Sequence, residues 1–208
     1  MTPLIYWLDL TGTFVFALSG GLAAARNRLD PFGFAVVAMA TGLGGGTLRN
    51  LLLDVHPITW VDDPYYLVTC LAAAAISFGW AGLLESRMRW LLIVDALGLG
   101  LFAVAGSQIA LTAGSHGGIA ILMGITTGVA GGVIRDVLCN EVPLVMRKEI
   151  YALAALAGSG TYVLLDFIGC GQAVASAVAF LACAGLRLAA IRWKLALPTY
   201  GGGAAGSS

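Results

Sequence analysis

Two ten-residue stretches decide how this chain folds: Thr41-Gly-Leu-Gly-Gly-Gly-Thr-Leu-Arg-Asn50 and Thr127-Gly-Val-Ala-Gly-Gly-Val-Ile-Arg-Asp136. They lie 86 residues apart, and the same offset pairs Asp9 with Asp95, Gly12 with Gly98, Phe16 with Phe102 and Gly20 with Gly106. It also pairs Pro57 with Pro143 and Tyr65 with Tyr151. Residues 9–71 set against 95–157 are identical at 15 of 63 positions without a gap. Apolar composition alone produces some matches. It does not bring Asp, Arg, Pro and paired glycines into one register, so the chain contains an internal repeat.

The medium around that repeat follows from composition. Of 208 residues 59% are hydrophobic and 11% charged, with mean hydropathy +0.91 and a formal net charge of zero. Soluble domains carry about 25% charged residues. Such a chain is neither disordered nor a nucleic-acid binder working through a basic surface, and most soluble enzymes are excluded too. Cys70, Cys139, Cys170 and Cys183 have no metal-type spacing. His56 and His116 have no ligand neighbours, and no catalytic constellation stands out, so the chain reads as a non-enzyme. The N-terminus lacks the basic start of a cleavable signal. Residues 201–208 read as a flexible linker or cloning scar, and residues 1–200 as one membrane domain.

A bilayer core takes about 20 apolar residues per helix. Seven segments meet that need: Leu4–Ala25, Phe34–Leu53, Tyr65–Leu84, Trp90–Thr112, Ile119–Cys139, Ile150–Phe167 and Gln172–Ile191. Nine of the 11 basic residues follow segments one, three, five and seven: Arg26, Arg28, Arg87, Arg89, Arg147, Lys148, Arg187, Arg192 and Lys194. The positive-inside rule then puts the N-terminus outside and the C-terminus in the cytoplasm. Each repeat holds three helices, repeat one over 4–84 and repeat two over 90–167. Three is odd, so the second copy enters the membrane upside down. The expected fold class is an all-α integral membrane protein: seven transmembrane helices, an inverted 3+3 repeat plus one extra helix over 172–191.

The two remaining arginines, Arg49 and Arg135, end the repeated glycine motifs. Charges inside a membrane are costly and mark functional positions. The inverted topology pairs Asp9 with Arg49 near one face, and Asp95 with Arg135, beside Asp136, near the other. Gly44, Gly45, Gly46, Gly131 and Gly132 weaken their helices and permit a kink with freed carbonyls. The competing role is close packing, because Gly42-xxx-Gly46 and Gly128-xxx-Gly132 are GxxxG patterns. Thr41 and Thr127 repeat beside the glycines and are the pore-lining candidates. Other hydroxyls are expected to bond their own helix backbone, and Tyr65 and Tyr151 to anchor at the interface.

Seven helices, the inverted repeat and the doubled Gly-Gly-x-x-Arg motif resemble the trimeric intracellular cation channel (TRIC) family, in its prokaryotic branch. The resemblance spans residues 4–194. It implies a homotrimer in the inner membrane with one potassium-permeable pore per protomer, formed by glycine-kinked second and fifth spans. It implies no cofactor, potassium as the transported ion with sodium as a further option, and lipid as the surrounding partner; nucleic acid has no place in it. The first motif ends Arg49-Asn50 where the second ends Arg135-Asp136, and Ala130 stands where the first has Gly44, so the two hinges are not equivalent. An inverted repeat would equally serve a secondary transporter of a small solute such as an amino acid.

Overall fold

The computed structural model describes residues 2–80, 82, 87–147 and 150–196. Eight α-helices follow one another: α1 (Pro3–Arg26), α2 (Pro31–Leu52), α3 (Thr59–Asp62), α4 (Tyr65–Trp80), α5 (Arg87–Thr112), α6 (Gly117–Leu138), α7 (Ala152–Phe167) and α8 (Gln172–Trp193). Seven of them match the expected spans. The four-residue α3 is an addition, too short for an apolar period to announce it. The far end of the expected third span, and the linker at 201–208, lie outside the described residues.

Local chemistry starts these helices. Thr2 caps α1 and Asp30 caps α2 by accepting from Ile5 N and Gly33 N, each with proline in the first turn. His116 caps α6, its Nδ1 accepting from Gly118 N. Arg28, Asp54 and Asn140 close α1, α2 and α6 in the left-handed region, at φ of 54°, 53° and 54°. Among the described residues, five helices are long and apolar enough to cross a membrane. The described part of α4, like α7, spans 16 residues, roughly 24 Å at 1.5 Å per residue. Large apolar side chains such as Trp7, Phe32, Phe78, Leu181 and Trp193 face outward, the arrangement a lipid solvent requires.

Helices α1 and α5 pack against each other across the repeat boundary, and so do α2 and α6. Their contacts are reciprocal. A Cβ on Gly12 would stand 2.6 Å from the Phe102 ring, and one on Gly98 would stand 2.9 Å from the Phe16 ring. The two rings stack with centroids 5.1 Å apart. Gly45 sits against the Thr127 carbonyl and Gly131 against the Thr41 carbonyl, both closer than any real side chain could approach. Each contact maps onto its partner by the 86-residue offset, which is what a pseudo-two-fold axis through the α1–α5 and α2–α6 crossings produces. The late residue Ser19 of α1 meets Arg135 at the end of α6. Arg135 also holds Asp95, early in α5, so the start of repeat two lies beside the end of repeat one's first helix, and the repeat is inverted as the helix parity demands.

Two expectations are corrected. Tyr65 is 66% exposed, but Tyr151 is 1% exposed and faces inward. The buried stripe of α4 (Tyr66, Cys70, Ala73, Ala74, Ser77) matches that of α7 (Tyr151, Ala155, Gly158, Ser159, Tyr162) at an offset of 85, not 86. From the motif arginine to this stripe repeat two is one residue shorter, Arg135 to Tyr151 against Arg49 to Tyr66, and connections absorb such changes without disturbing the helices they join. Tyr66 is therefore the partner of Tyr151. Arg187, counted above as a charge at the cytoplasmic edge, is fully buried inside the bundle. Helix α8 packs mainly on α5 and α7 of repeat two, and it carries Arg187 inward with it.

Candidate functional site

Both sequence-derived ion pairs form. Arg49 Nη1 donates to Asp9 Oδ1 at 2.8 Å, and Arg135 Nη1 donates to Asp95 Oδ1 at 2.6 Å. Each arginine also donates from Nε to the side chain that follows it, Asn50 at 2.9 Å and Asp136 at 2.8 Å. All six side chains are buried. Charges this deep persist only when paired and hydrogen-bonded, and the fork of an arginine suits two acceptors at once.

Around this shared core the two ends differ. At the repeat-one end, Tyr66 donates its hydroxyl to Asp9 Oδ2 at 3.1 Å. Asn50 donates to Thr59 of α3 at 2.8 Å, and the Trp60 indole donates to Thr47 at 3.0 Å. Together α3 and these bonds roof a narrow cleft with room for about one water molecule. Asp9, Thr13 and Arg49 line it, along with the Gly42, Gly46 and Thr47 face of α2, and its floor reaches Phe102 at the pseudo-two-fold axis. At the repeat-two end, Asp136 Oδ2 instead accepts from the Leu144 backbone in a 3-10 turn at 2.9 Å. Ser19 takes a bond from Arg135, the Tyr151 ring packs beside Gly132, and the Arg187 guanidinium stacks 4.9 Å over that ring.

The glycines divide by neighbour. Gly45 and Gly131 lie at the α2–α6 crossing, backbone on backbone. A side chain on Gly44 would meet only the flexible tip of Ile134, and one on Gly46 would find its nearest neighbour, Arg49, 3.6 Å away. Gly132 lies under the Tyr151 hydroxyl. Helical structure continues through both motifs without interruption. Thr41 and Thr127 donate their hydroxyls to the backbone one turn earlier, at Val37 and Met123, and press them against Gly20 and Gly106. Thr13, Thr47, Ser107 and Thr112 bond their own helices in the same way.

Sequence reasoning missed Tyr66, Tyr151, Ser19, Trp60 and Arg187. A search for tyrosines one residue either side of the strict offset would have found the first two. Cys70, Cys139 and Cys183 are buried, as expected for small apolar fillers. Among the described residues no group of His, Cys, Asp and Glu could hold a metal.

The fold and this doubled site define a multi-pass membrane protein of the inverted-repeat class. A family model described as "Glycine transporter" matches residues 6–81 and again 92–167, the same 86-residue step. The inner membrane protein YadS of Escherichia coli K12 is 41% identical over 199 residues, covering 95% of this chain and 96% of YadS. A membrane protein of Vibrio cholerae is 40% identical over 204 residues, covering 96% of this chain and 84% of its own. Among solved structures, the TRIC trimeric intracellular cation channel orthologue from Rhodobacter sphaeroides superposes with a TM-score of 0.90. It is 41% identical, covering 92% of this chain and 99% of its own. A prokaryotic TRIC channel crystallised in 0.5 M KCl gives 0.87 at 31% identity, covering 95% and 100%. The chain belongs to the prokaryotic branch of the TRIC channel family.

Proposed function

We propose that this chain is a channel for monovalent cations, with potassium as the main permeant ion and a pathway inside each protomer of a homotrimer. The observation that carries the proposal is the roofed cleft, which leads from the Asp9–Arg49 pair along the glycine face of α2 to the central Phe102. A path through lipid survives only where protein polar groups or water line it, and here the buried polar groups gather at its two ends. The similarity to solved TRIC cation channels supports the reading. Each ion pair closes one end, so an ion passes when the Arg49 and Arg135 forks swing aside while Asp9 and Asp95 keep an attractive charge in the wall. Bending at the Gly44–Gly46 and Gly131–Gly132 runs supplies that motion. The glycines leave α2 and α6 intrinsically soft at the point where they cross. No cofactor enters this scheme. The arginine distribution puts the N-terminus outside and repeat one's cleft on the outer face, in an inner membrane.

Purified protein in planar bilayers under a potassium gradient tests this. Unitary currents that reverse near the potassium equilibrium potential are expected. The family model's description makes glycine uptake the competing result. Saturable, ion-coupled glycine accumulation without unitary currents would overturn the channel.

A further inference from the structure

The two helices that cross at the glycine motifs start differently. The 86-residue offset pairs Asp30 with His116 and Pro31 with Gly117, the residues that open α2 and α6. Asp30 Oδ1 accepts from Gly33 N at 2.7 Å, and Pro31 sets the first turn with its fixed φ. His116 Nδ1 accepts from Gly118 N at 3.3 Å, and its carbonyl accepts from Ala120 N at 3.0 Å. Gly117 and Gly118 form the turn between them, and glycine gains the most freedom when a turn unwinds. One start is pinned by a carboxylate and a proline. The other hangs on one imidazole nitrogen.

An ordinary carboxylate remains an acceptor throughout the neutral range, whereas an ordinary imidazole changes charge near about pH 6.5. Once Nδ1 takes a proton it cannot accept from Gly118, and its charge then sits at the positive end of the α6 dipole. Both effects unfasten the same turn. The surrounding groups are few. Residues 108–115, at the end of α5 and before His116, carry no titratable side chain. On α7, Val163 would lie 3.1 Å from a Cβ on Gly117, and the titratable groups nearest to it in sequence are Tyr162 and Asp166. Cys170 lies in the loop that follows, and Asp54, His56, Asp62 and Asp63 lie on the repeat-one side of the same face. Carboxylates, phenols and thiols of ordinary pKa do not titrate between pH 5.5 and 7.5. Within that window the other imidazole is His56, which pairs with Asp54 at 3.2 Å on the surface.

We propose that His116 is an acid-released clasp on α6: protonation from the outer side unwinds the first turn, frees α6 to move against α2 and raises the current, while Asp30 keeps α2 pinned. The arginine distribution puts the α5–α6 loop outside together with the N-terminus. The effect on current rests on the channel reading, and the unwinding does not.

Hydrogen exchange of the purified full chain in lipid nanodiscs, corrected for the intrinsic pH dependence of exchange, reads the clasp directly. In wild type, protection of residues 118–122 should be about fivefold lower at pH 5.5 than at pH 7.5, the factor a typical cap contributes. Residues 33–36, under Asp30, should hold their protection at both. H116N supplies a cap that does not titrate and should keep its protection, and H56Q should behave as wild type. H116D, which installs the residue of repeat one, serves the same purpose if H116N does not fold. Undiminished protection in wild type at pH 5.5, or an equal fall in the capped variant, would overturn the clasp. In planar bilayers, acid on the outer side alone should raise the wild-type potassium current by up to about fivefold and leave the capped variant unchanged. Exchange that responds while the current stays level or falls would overturn the regulatory role. Should wild type pass no current at either pH, the channel reading fails while exchange still decides the clasp.

Discussion

The two ends of the bundle are built from one motif and have been finished differently. At the repeat-one end, an Asp–Arg pair sits at the back of a cleft, roofed by the four-residue α3 through Asn50–Thr59 and Trp60–Thr47 bonds. At the repeat-two end, the same pair is enclosed by Ser19, Asp136, Tyr151 and Arg187. Duplication supplies the ion pair twice because symmetry repeats whatever is buried near the axis. What it cannot supply is the surroundings, since the spacing from arginine to tyrosine is one residue shorter in repeat two and α8 exists once. The difference is one of enclosure: the first pair borders a cleft, and the second is walled in.

The largest effect should come from breaking the enclosed pair. R135Q strands Asp95 and Asp136 in a fully buried site, which typically costs about 3–5 kcal/mol. R49Q strands only Asp9, which retains the Tyr66 hydroxyl and borders the cleft. The melting temperature should therefore fall further for R135Q than for R49Q. Equal losses would remove the distinction between the ends.

Next come the glycines of the crossing. G45A and G131A each place a methyl group on a partner carbonyl, so α2 and α6 must separate, at a cost of about 1–3 kcal/mol by the usual scale of overpacking. The two losses should match, because the contacts are symmetric. G46A has space and should gain roughly 0.5–1 kcal/mol from the stiffer helix. Recording currents from G46A separates packing from bending. A stabilised protein with reduced current marks a hinge, and one with unchanged current leaves Gly46 a spacer.

Which of these features could be read beforehand follows from the range of the signal. Helix positions were legible because an apolar span and its caps are written in consecutive residues, as with Asp30-Pro31 before α2. The Asp–Arg pairs were legible because inversion fixes which ends share a face. Arg187 was not, since a charge at the end of an apolar run looks the same whether it turns out to the headgroups or in toward Tyr151. The Tyr65–Tyr151 pairing failed for a related reason: one residue less between the motif arginine and the tyrosine rotates a helix register by about 100°, and only the burial stripes of α4 and α7 reveal it. The roof went unseen because Thr59 and Trp60 act through tertiary bonds, with no periodicity of their own.

A third prediction opens the first end. W60A removes the indole that donates to Thr47 and takes away part of the roof over the cleft. Trp60 is partly exposed and lies in a short helix, so stability should drop by no more than about 1 kcal/mol, the worth of one hydrogen bond. Access should change more than stability does. A cysteine placed at Thr13, which lines the cleft and takes no part in the roof, should react with a water-soluble thiol reagent severalfold faster in the W60A background than with Trp60 present. An unchanged rate would mean that α3 does not cover the cleft.

The smallest effect tests which way the two ends face. Cys170 lies in the α7–α8 loop and is partly exposed, whereas Cys139, just past the end of α6, is buried. Burial raises the Cys139 thiol above its ordinary pKa, chiefly through desolvation with Glu141 adding to it, so less of it is the reactive thiolate at neutral pH. With the N-terminus outside, the α7–α8 loop is also outside, on the same face as the roofed cleft. A membrane-impermeant maleimide added to spheroplasts should label Cys170, and C170S should abolish that labelling. Labelling that appears only after the membrane is permeabilised would invert the topology, and the roofed cleft would then face the cytoplasm.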